Sequence, residues 1–193
     1  MTGTTTPYAV RLLDASTWDA FAELVERNNG IFGGCWCIGW HPERGQRGID
    51  HRAVKQERVC TGRAHAALVV DADGQAQGWA QFGSAAELPG IKHRRMYDKE
   101  PPAVPDWRIA CIYVDPRHRG QGVARIALEG ALDEIARLGG GLVEAISETT
   151  DGRVAHGRFL VSATVELFDS YDFDRVRQVG KDAWIVNRVV PAL

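Results

Sequence analysis

Apolar positions change period several times along the chain, and each change marks a predicted element. Ala9-Val10-Arg11-Leu12-Leu13 predicts a short strand after a polar tail at 1–7, which is expected to be flexible. Ser16 and Asp19 have capping-box spacing, and Trp18, Phe21, Ala22 and Val25 then fall at i, i+3, i+4 and i+7, one face of a helix. Asn28-Asn29-Gly30 stops it, and the glycine-rich stretch 33–41 has neither a helical nor a strand period. A second helix is predicted from about Asp50 to Cys60, ended by Gly62. Ala64–Val70 and Gln75–Phe82 read as a hairpin joined by Asp71-Ala72-Asp73-Gly74, which has Asp-Gly turn chemistry. On its second strand Gln75, Gln77, Trp79 and Gln81 share one face, and Ala76, Gly78, Ala80 and Phe82 share the other. Residues 83–106, with Pro89, Pro101, Pro102 and Pro105, form a long excursion of the functional or mobile kind.

Trp107–Val114 is apolar on both faces, as a central strand of a covered sheet should be. After a turn at Asp115–Gly120, a helix is predicted from about Gln121 to Leu138, with Ala124, Ala127, Leu128, Ala131, Ile135 and Leu138 at helical spacing. Gly139-Gly140-Gly141 closes it, and Gly141–Ser147 is a further buried strand. Strand, helix, strand over 107–147 is a crossover that makes its two strands parallel. A last helix near 160–171 and strands near 173–179 and 183–190 complete an α/β or α+β sheet.

The length of 193 residues fits one domain over 1–193, given a prior of roughly 150 residues per domain. With 23 Lys+Arg against 25 Asp+Glu the formal charge is −2, which argues against a nucleic-acid coat. No apolar run reaches the ~20 residues of a membrane span, and the first residues do not resemble a secretory signal. Cys35, Cys37, Cys60 and Cys111 are too sparse for a disulfide framework, so reduced thiols and a cytoplasmic location are expected.

The strongest chemical signal is Val114-Asp115-Pro116-Arg117-His118-Arg119-Gly120-Gln121-Gly122-Val123-Ala124-Arg125. A helix start offers unpaired N–H groups and the positive end of the dipole. Gly120 and Gly122 allow close backbone approach, and Arg119 and Arg125 add charge, which together describe a phosphate or pyrophosphate cradle. It is neither a Walker loop nor a dinucleotide fingerprint. Arg119-x-x-Gly122-x-Ala124, between a strand and a helix, resembles the pyrophosphate signature of the GNAT acyltransferase superfamily. The order of predicted elements agrees with that family over most of the chain. Leu167-Phe168-Asp169-Ser170-Tyr171-Asp172-Phe173 is similar to its Leu-Tyr-Glu-x-x-Gly-Phe segment.

The resemblance implies a central mixed sheet flanked by helices, with a parallel strand pair splayed to admit CoA. It implies acetyl transfer from acetyl-CoA to a primary amine by direct attack, the acceptor being a small molecule, with protein N-termini or lysines as other acceptors. Gln121, Gly122, Val123 and Ala124 would hold the pyrophosphate beside Arg119, Gly120 and Arg125. Ile112, Tyr113 and Val114 would pair with the pantetheine arm, and a backbone N–H near Val114 would face the thioester oxygen. No metal, nucleic-acid or membrane partner is implied, and a homodimer is compatible with the family.

Where many members carry a tyrosine to protonate the leaving thiolate, this chain has Phe168. Tyr171, one helical turn away, either substitutes or packs, and solvent could supply the proton instead. Glu144, set among Leu142, Val143, Ala145 and Ile146, is the first candidate for the base, because burial raises a carboxyl pKa; the alternatives are pairing with an arginine or facing solvent. Asp106 and Glu148 are lesser candidates. Cys111 reads either as a nucleophile or as a small core residue.

Cys35-Trp36-Cys37-Ile38-Gly39-Trp40-His41 could begin a zinc site but lacks a fourth ligand at finger spacing. The resemblance instead places Trp36, Trp40 and His41 along the acceptor pocket, with core packing the alternative for the tryptophans. Lys92-His93-Arg94-Arg95-Met96-Tyr97 in the excursion either covers that pocket, with Tyr97 in it, or is a solvated loop. The missing tyrosine keeps a second function open, an acyl-CoA-binding sensor without turnover. A zinc-stabilised interaction domain is a third.

Overall fold

The computed structural model describes residues 7–150, 152 and 160–193. Most of the predicted 1–7 tail therefore lies outside the described residues. Strands are β1 (Ala9–Leu12), β2 (His65–Val70), β3 (Ala76–Ser84), β4 (Trp107–Val114), β5 (Gly141–Glu148), β6 (Asp174–Gln178) and β7 (Ala183–Val190). Helices are α1 (Trp18–Glu26), α2 (His51–Cys60), α3 (Arg94–Tyr97), α4 (Val123–Arg137) and α5 (Val165–Asp169). Among the described residues the strands form one sheet in the order β1-β2-β3-β4-β5-β7-β6. Only β4 and β5 pair in parallel. This is the expected mixed sheet flanked by helices.

Local chemistry sets the helix boundaries. The expected capping box at Ser16 and Asp19 does not form: Asp14 Oδ1 accepts from the Ser16 and Thr17 N–H groups, and α1 starts at Trp18. Asp50 caps α2 by accepting from the N–H groups of Arg52 and Ala53. The helix predicted from Gln121 starts at Val123 instead, because Gly120 (φ 74°) and Gly122 (φ 82°) are left-handed and cannot continue a helix. The helix predicted near 160–171 is cut to Val165–Asp169, since Val161 and Ser162 are bonded to β4.

Two apolar layers sandwich the sheet. On one face Ala127, Leu128, Ala131 and Ile135 of α4 pack on Ala80, Phe82, Ile109 and Ile112. On the other, Trp18, Phe21, Leu24 and Val25 of α1 pack on Leu68, Trp79, Cys111 and Tyr113. Side chains this large contribute about 1.5–3 kcal/mol each on full burial. Ile109 and Ile112 share a face although three residues apart, because β4 bulges at Ala110: Gln81 pairs with Cys111, and Phe82 with Ile109. The β4–β5 register runs only from Trp107↔Val143 to Ile109↔Ala145, stopping where the bulge begins. A bulge bends and twists its strand, so Ala110 is where β4 leaves β5 and the splay opens.

Candidate active site

Past the bulge, the side of β4 facing away from β3 borders a cavity of about 500 Å³. Its walls are Ile112, Tyr113 and Val114 from β4, Arg119, Gly120 and Gly122 from the turn, Val123, Ala124 and Arg125 from α4, and Phe32, Leu160, Ala163, Thr164 and Leu167 opposite. Of the ten residues expected at the donor, Gln121 alone is missing. Its side chain turns outward, accepting from the Tyr8 hydroxyl at 2.6 Å and donating to the Arg117 carbonyl.

Backbone donors aim into this cavity. The Asp115 N–H donates to Gln77 on β3, so by alternation the Val114 and Ile112 N–H groups point away from β3. At the head of α4 the first helical bonds come from Arg125 and Ile126 to the Gly122 carbonyl, which leaves the N–H groups of Val123 and Ala124 outside the helix ladder. No side chain caps that end. A Cβ built on Gly122 meets nothing within 4 Å, so the glycine keeps open the space in front of those donors. Arg119 borders the cavity, and Arg125 reaches Ser170 Oγ at 3.0 Å. Unpaired N–H groups, a helix dipole and two guanidinium groups suit a polyphosphate.

The turn before α4 is braced from below. Asp115 is 1% exposed and accepts from Arg27 Nε at 3.0 Å, Arg117 Nε and Nη2 at 3.0 and 2.9 Å, Asn28 at 3.3 Å and the Arg117 N–H. These donors, led by Arg117, hold its carboxyl well below the usual carboxylate range. This brace was not legible in the sequence, because Arg27 and Asn28 lie far from Asp115 along the chain, just past the end of α1.

The inner end of the cavity is closed by the chain itself. The Ile112 N–H donates to the Val161 carbonyl at 2.9 Å, and Ser162 Oγ donates to the Ala110 carbonyl at 2.9 Å. From the β5 side, Ser147 Oγ donates to the Ala163 carbonyl at 2.9 Å. Residues 161–163 thus lie in the splay as a strap. Beyond it is a second cavity of about 270 Å³, lined by Phe32, Cys35, Cys37, Gly39, Trp40, Arg44, Cys111 and Val161. A cleft of about 20 Å³ adjoins the strap too, lined among others by Trp40, Lys92, Arg108, Glu144 and Ser162.

Of the residues expected around the acceptor, Trp40 lines both of these spaces. Trp36 stacks on Trp18 at 6.1 Å and packs into the α1 layer instead. His41 is fully buried, with Nε2 accepting from Gln81 at 2.8 Å, and burial drives its pKa down to about 2. Tyr97 is buried and donates to Glu144 Oε2 at 2.9 Å. The 83–106 excursion is therefore anchored rather than solvated: Leu88, Ile91 and Tyr97 are buried, and the Gly90 N–H donates to the Trp40 carbonyl.

Glu144 is 2% exposed, and Arg108 Nε donates to its Oε1 at 3.1 Å. Burial outweighs the Tyr97 and Arg108 contacts, so its pKa is raised. Asp106 accepts from the Leu142 N–H and fastens the start of β5. Glu148 pairs with Lys92. Tyr171 is not brought to the donor cavity: its hydroxyl donates to Glu129 at 2.8 Å, and burial raises its pKa to about 12. Phe168 is fully buried. Among the described residues, no three His, Cys, Asp or Glu side chains converge as metal ligands, and no helix is long and apolar enough to cross a membrane.

Comparison with known proteins agrees with this geometry. The family model described as "Acetyltransferase (GNAT) family" matches residues 35–159. No curated protein sequence matches the chain. Among solved structures, mosquito arylalkylamine N-acetyltransferase like 5b superposes with TM-score 0.57 at 11% identity, covering 94% of this chain and 99% of its own. A GNAT-superfamily phosphinothricin acetyltransferase of Sinorhizobium meliloti, in complex with AcCoA, gives 0.54 at 13% identity over 96% and 89%. The yncA protein of Salmonella typhimurium, with its cofactor acetyl-CoA, gives 0.52 at 18% identity over 96% and 94%. At these identities the likeness is one of fold.

Proposed function

The chain belongs to the acetyltransferase (GNAT) family, and from that premise we propose that it transfers the acetyl group of acetyl-CoA to a primary amine of a small molecule by direct attack. The observation that carries the proposal is the pair of cavities meeting at the splayed end of β4, one with uncapped helix donors and the other mostly apolar. Acetyl-CoA supplies the activated acyl carbonyl. The Val123 and Ala124 N–H groups with Arg119 and Arg125 hold its pyrophosphate, and the Val114 N–H pairs with the arm. The deepest donor is the Ile112 N–H, which reaches the acyl oxygen once Val161 releases it. In other acyl-transfer enzymes, loss of one such donor costs about 10²–10³ in rate.

The acceptor cavity of about 270 Å³ favours a small molecule over a folded protein, and Phe32 and Trp40 favour a planar or apolar one. An arylalkylamine is the acceptor in the mosquito neighbour's name. Glu144 takes the amine proton through the adjoining cleft of about 20 Å³, which has room for about one water. With Tyr171 held by Glu129, solvent returns a proton to the thiolate, whose ordinary pKa near ~8.5 makes that undemanding.

Calorimetric titration with acetyl-CoA and free CoA, beside Gly122→Arg, tests the donor site. Micromolar binding lost in a variant that melts like the wild type is the expected result; no binding by the wild type at millimolar CoA overturns the reading. A panel of small amines and an N-terminal peptide then identifies the acceptor class. The second reading, a donor-binding module without turnover, draws on the strap and on the Arg108 pairing of Glu144. One acetylated product removes it.

A further inference from the structure

The cavity of about 270 Å³ carries a single cation. Among the described residues that line it, Arg44 is the one ionic side chain, and the rest of the wall is aromatic, aliphatic, glycine or free thiol. Arg44 is exposed while Cys37 and Cys111 are buried, which puts the guanidinium toward the mouth and the thiols toward the floor. Among the described residues Arg44 makes no ion pair. Its contacts are a long hydrogen bond of 3.5 Å from Nη1 to the Ile91 carbonyl and the Trp40 ring, whose centre lies 6.0 Å from Cζ. Glu43, next to it in sequence, is taken by Arg58 at 2.7 Å. Glu144, on the adjoining cleft, is taken by Arg108 at 3.1 Å.

The segment that carries Arg44 is fixed in place. The Arg44 N–H donates to the His41 carbonyl at 3.1 Å, and His41 is itself fully buried, with Nε2 accepting from Gln81. The Gly90 N–H donates to the Trp40 carbonyl at 2.8 Å, and a Cβ on Gly90 would come within 2.7 Å of Trp40 Cα, so the two segments are packed backbone to backbone. A guanidinium has five N–H donors in a planar fork, and Arg44 commits one of them to a long bond. The others are open to a planar anion, for which a carboxylate gives paired, charge-assisted bonds.

A primary amine reaches this cavity as a cation, since its pKa is about 10 in water. A lone guanidinium in the wall repels such a cation. A carboxylate on the same molecule removes the repulsion and gives Arg44 its partner. Val161, whose carbonyl holds the Ile112 N–H, lines the same cavity as Arg44, so one small molecule can touch both. The volume falls below the ~300 Å³ at which drug-sized pockets begin and suits a molecule of amino-acid size. We infer that the acceptor is an amino carboxylate, its carboxylate held by Arg44 at the mouth, its apolar body along Phe32 and Trp40, and its nitrogen turned toward Val161 and the splay of β4. This rests on the reading of the cavity as the acceptor site given above and narrows the acceptor from amines at large to those that also bear a carboxylate.

The test reads binding and so does not depend on turnover. The full chain, with and without millimolar CoA, is titrated by calorimetry with two matched pairs that differ by the carboxylate alone: phenylalanine against phenethylamine, and leucine against isopentylamine. The carboxylate-bearing member of each pair should bind about tenfold or more tightly. Arg44→Gln, shown by its melting to be folded, should erase that preference. Arg44→Lys, which keeps the charge and loses the fork, should retain part of it. Equal affinities within the pairs overturn the inference, as does no binding of either amino carboxylate at millimolar concentration, or a preference that survives Arg44→Gln. Preferential binding with no acetylated product leaves the carboxylate site standing and counts against acetyl transfer alone.

Discussion

The backbone N–H of Ile112 is held by the carbonyl of Val161, 2.9 Å away, on the edge of β4 that faces the donor cavity. A donor arm that pairs with β4 as far as Ile112 must therefore displace this strap, and the strap's own tethers oppose binding. Ser162→Ala removes one tether, the Oγ–Ala110 bond. A hydrogen bond of this kind contributes about 1 kcal/mol net, so acetyl-CoA should bind up to about fivefold more tightly. Calorimetry on the variant decides; equal or weaker affinity would mean that the strap stays in place when the donor binds.

Glu144 makes a pH-dependent prediction. Burial holds its carboxyl above the ordinary ~4.3, so the folded chain keeps that proton to higher pH than the unfolded chain does. Its charging in the fold is the unfavourable step, and the stability it contributes is lost as pH rises through the raised value. Only the charged form accepts a proton from the amine, so the rate should rise with pH over that same interval. Glu144→Gln should remove this limb and lower the rate by about 10²–10⁴, with acetyl-CoA affinity almost unchanged. An unaltered pH–rate profile in the variant would exclude Glu144 as base.

The proposed donor site was legible in the sequence as a cluster because its parts are contiguous: Arg119, Gly120, Gly122, Val123, Ala124 and Arg125 lie in one strand-to-helix turn and line one cavity in the fold. Period and turn chemistry likewise located α1, α2, α4 and the β2–β3 hairpin to within a few residues. The proposed acceptor side was not legible, because it is assembled from distant segments. Lys55 reads as one more polar residue of an amphipathic helix, yet it is buried, with Nζ 3.4 Å from His41 Nε2. Tyr171 was a candidate because it lies one helical turn from Phe168, but the short helix α5 leaves its hydroxyl on Glu129. The strap at 161–163 resembled the start of a helix, but it forms a turn that is bonded to the open edge of β4 instead.

Asp115 predicts the acid limb of stability. Its carboxyl is held well below the usual range, so its contribution is complete above the unfolded value of ~3.9 and is lost as pH falls toward the folded one. Asp115→Asn should destabilise the chain at neutral pH by about 2 kcal/mol, less than a fully buried pair would cost because Arg27 is partly exposed and Arg117 lies at the surface. It should also flatten the loss of stability below about pH 4. Urea unfolding at neutral and acid pH measures both, and equal stability of the two proteins at neutral pH would rule out the brace.

Gly78 links the sheet to the donor cavity through size alone. A Cβ at this position would lie 2.6 Å from the Tyr113 carbonyl oxygen and 2.7 Å from Val123 Cγ1. The first contact is with backbone and the second with a buried side chain at the head of α4, so neither can yield without moving a wall of the cavity. Gly78→Ala should therefore cost about 1–3 kcal/mol by overpacking. Because Val123 carries one of the free N–H groups at the start of α4, the shift should also weaken acetyl-CoA binding, by about tenfold if roughly 1.4 kcal/mol of that contact is lost. Thermal unfolding and calorimetry on the same preparation separate the two effects. A variant that is destabilised but binds acetyl-CoA as the wild type does would show that the head of α4 does not hold the donor.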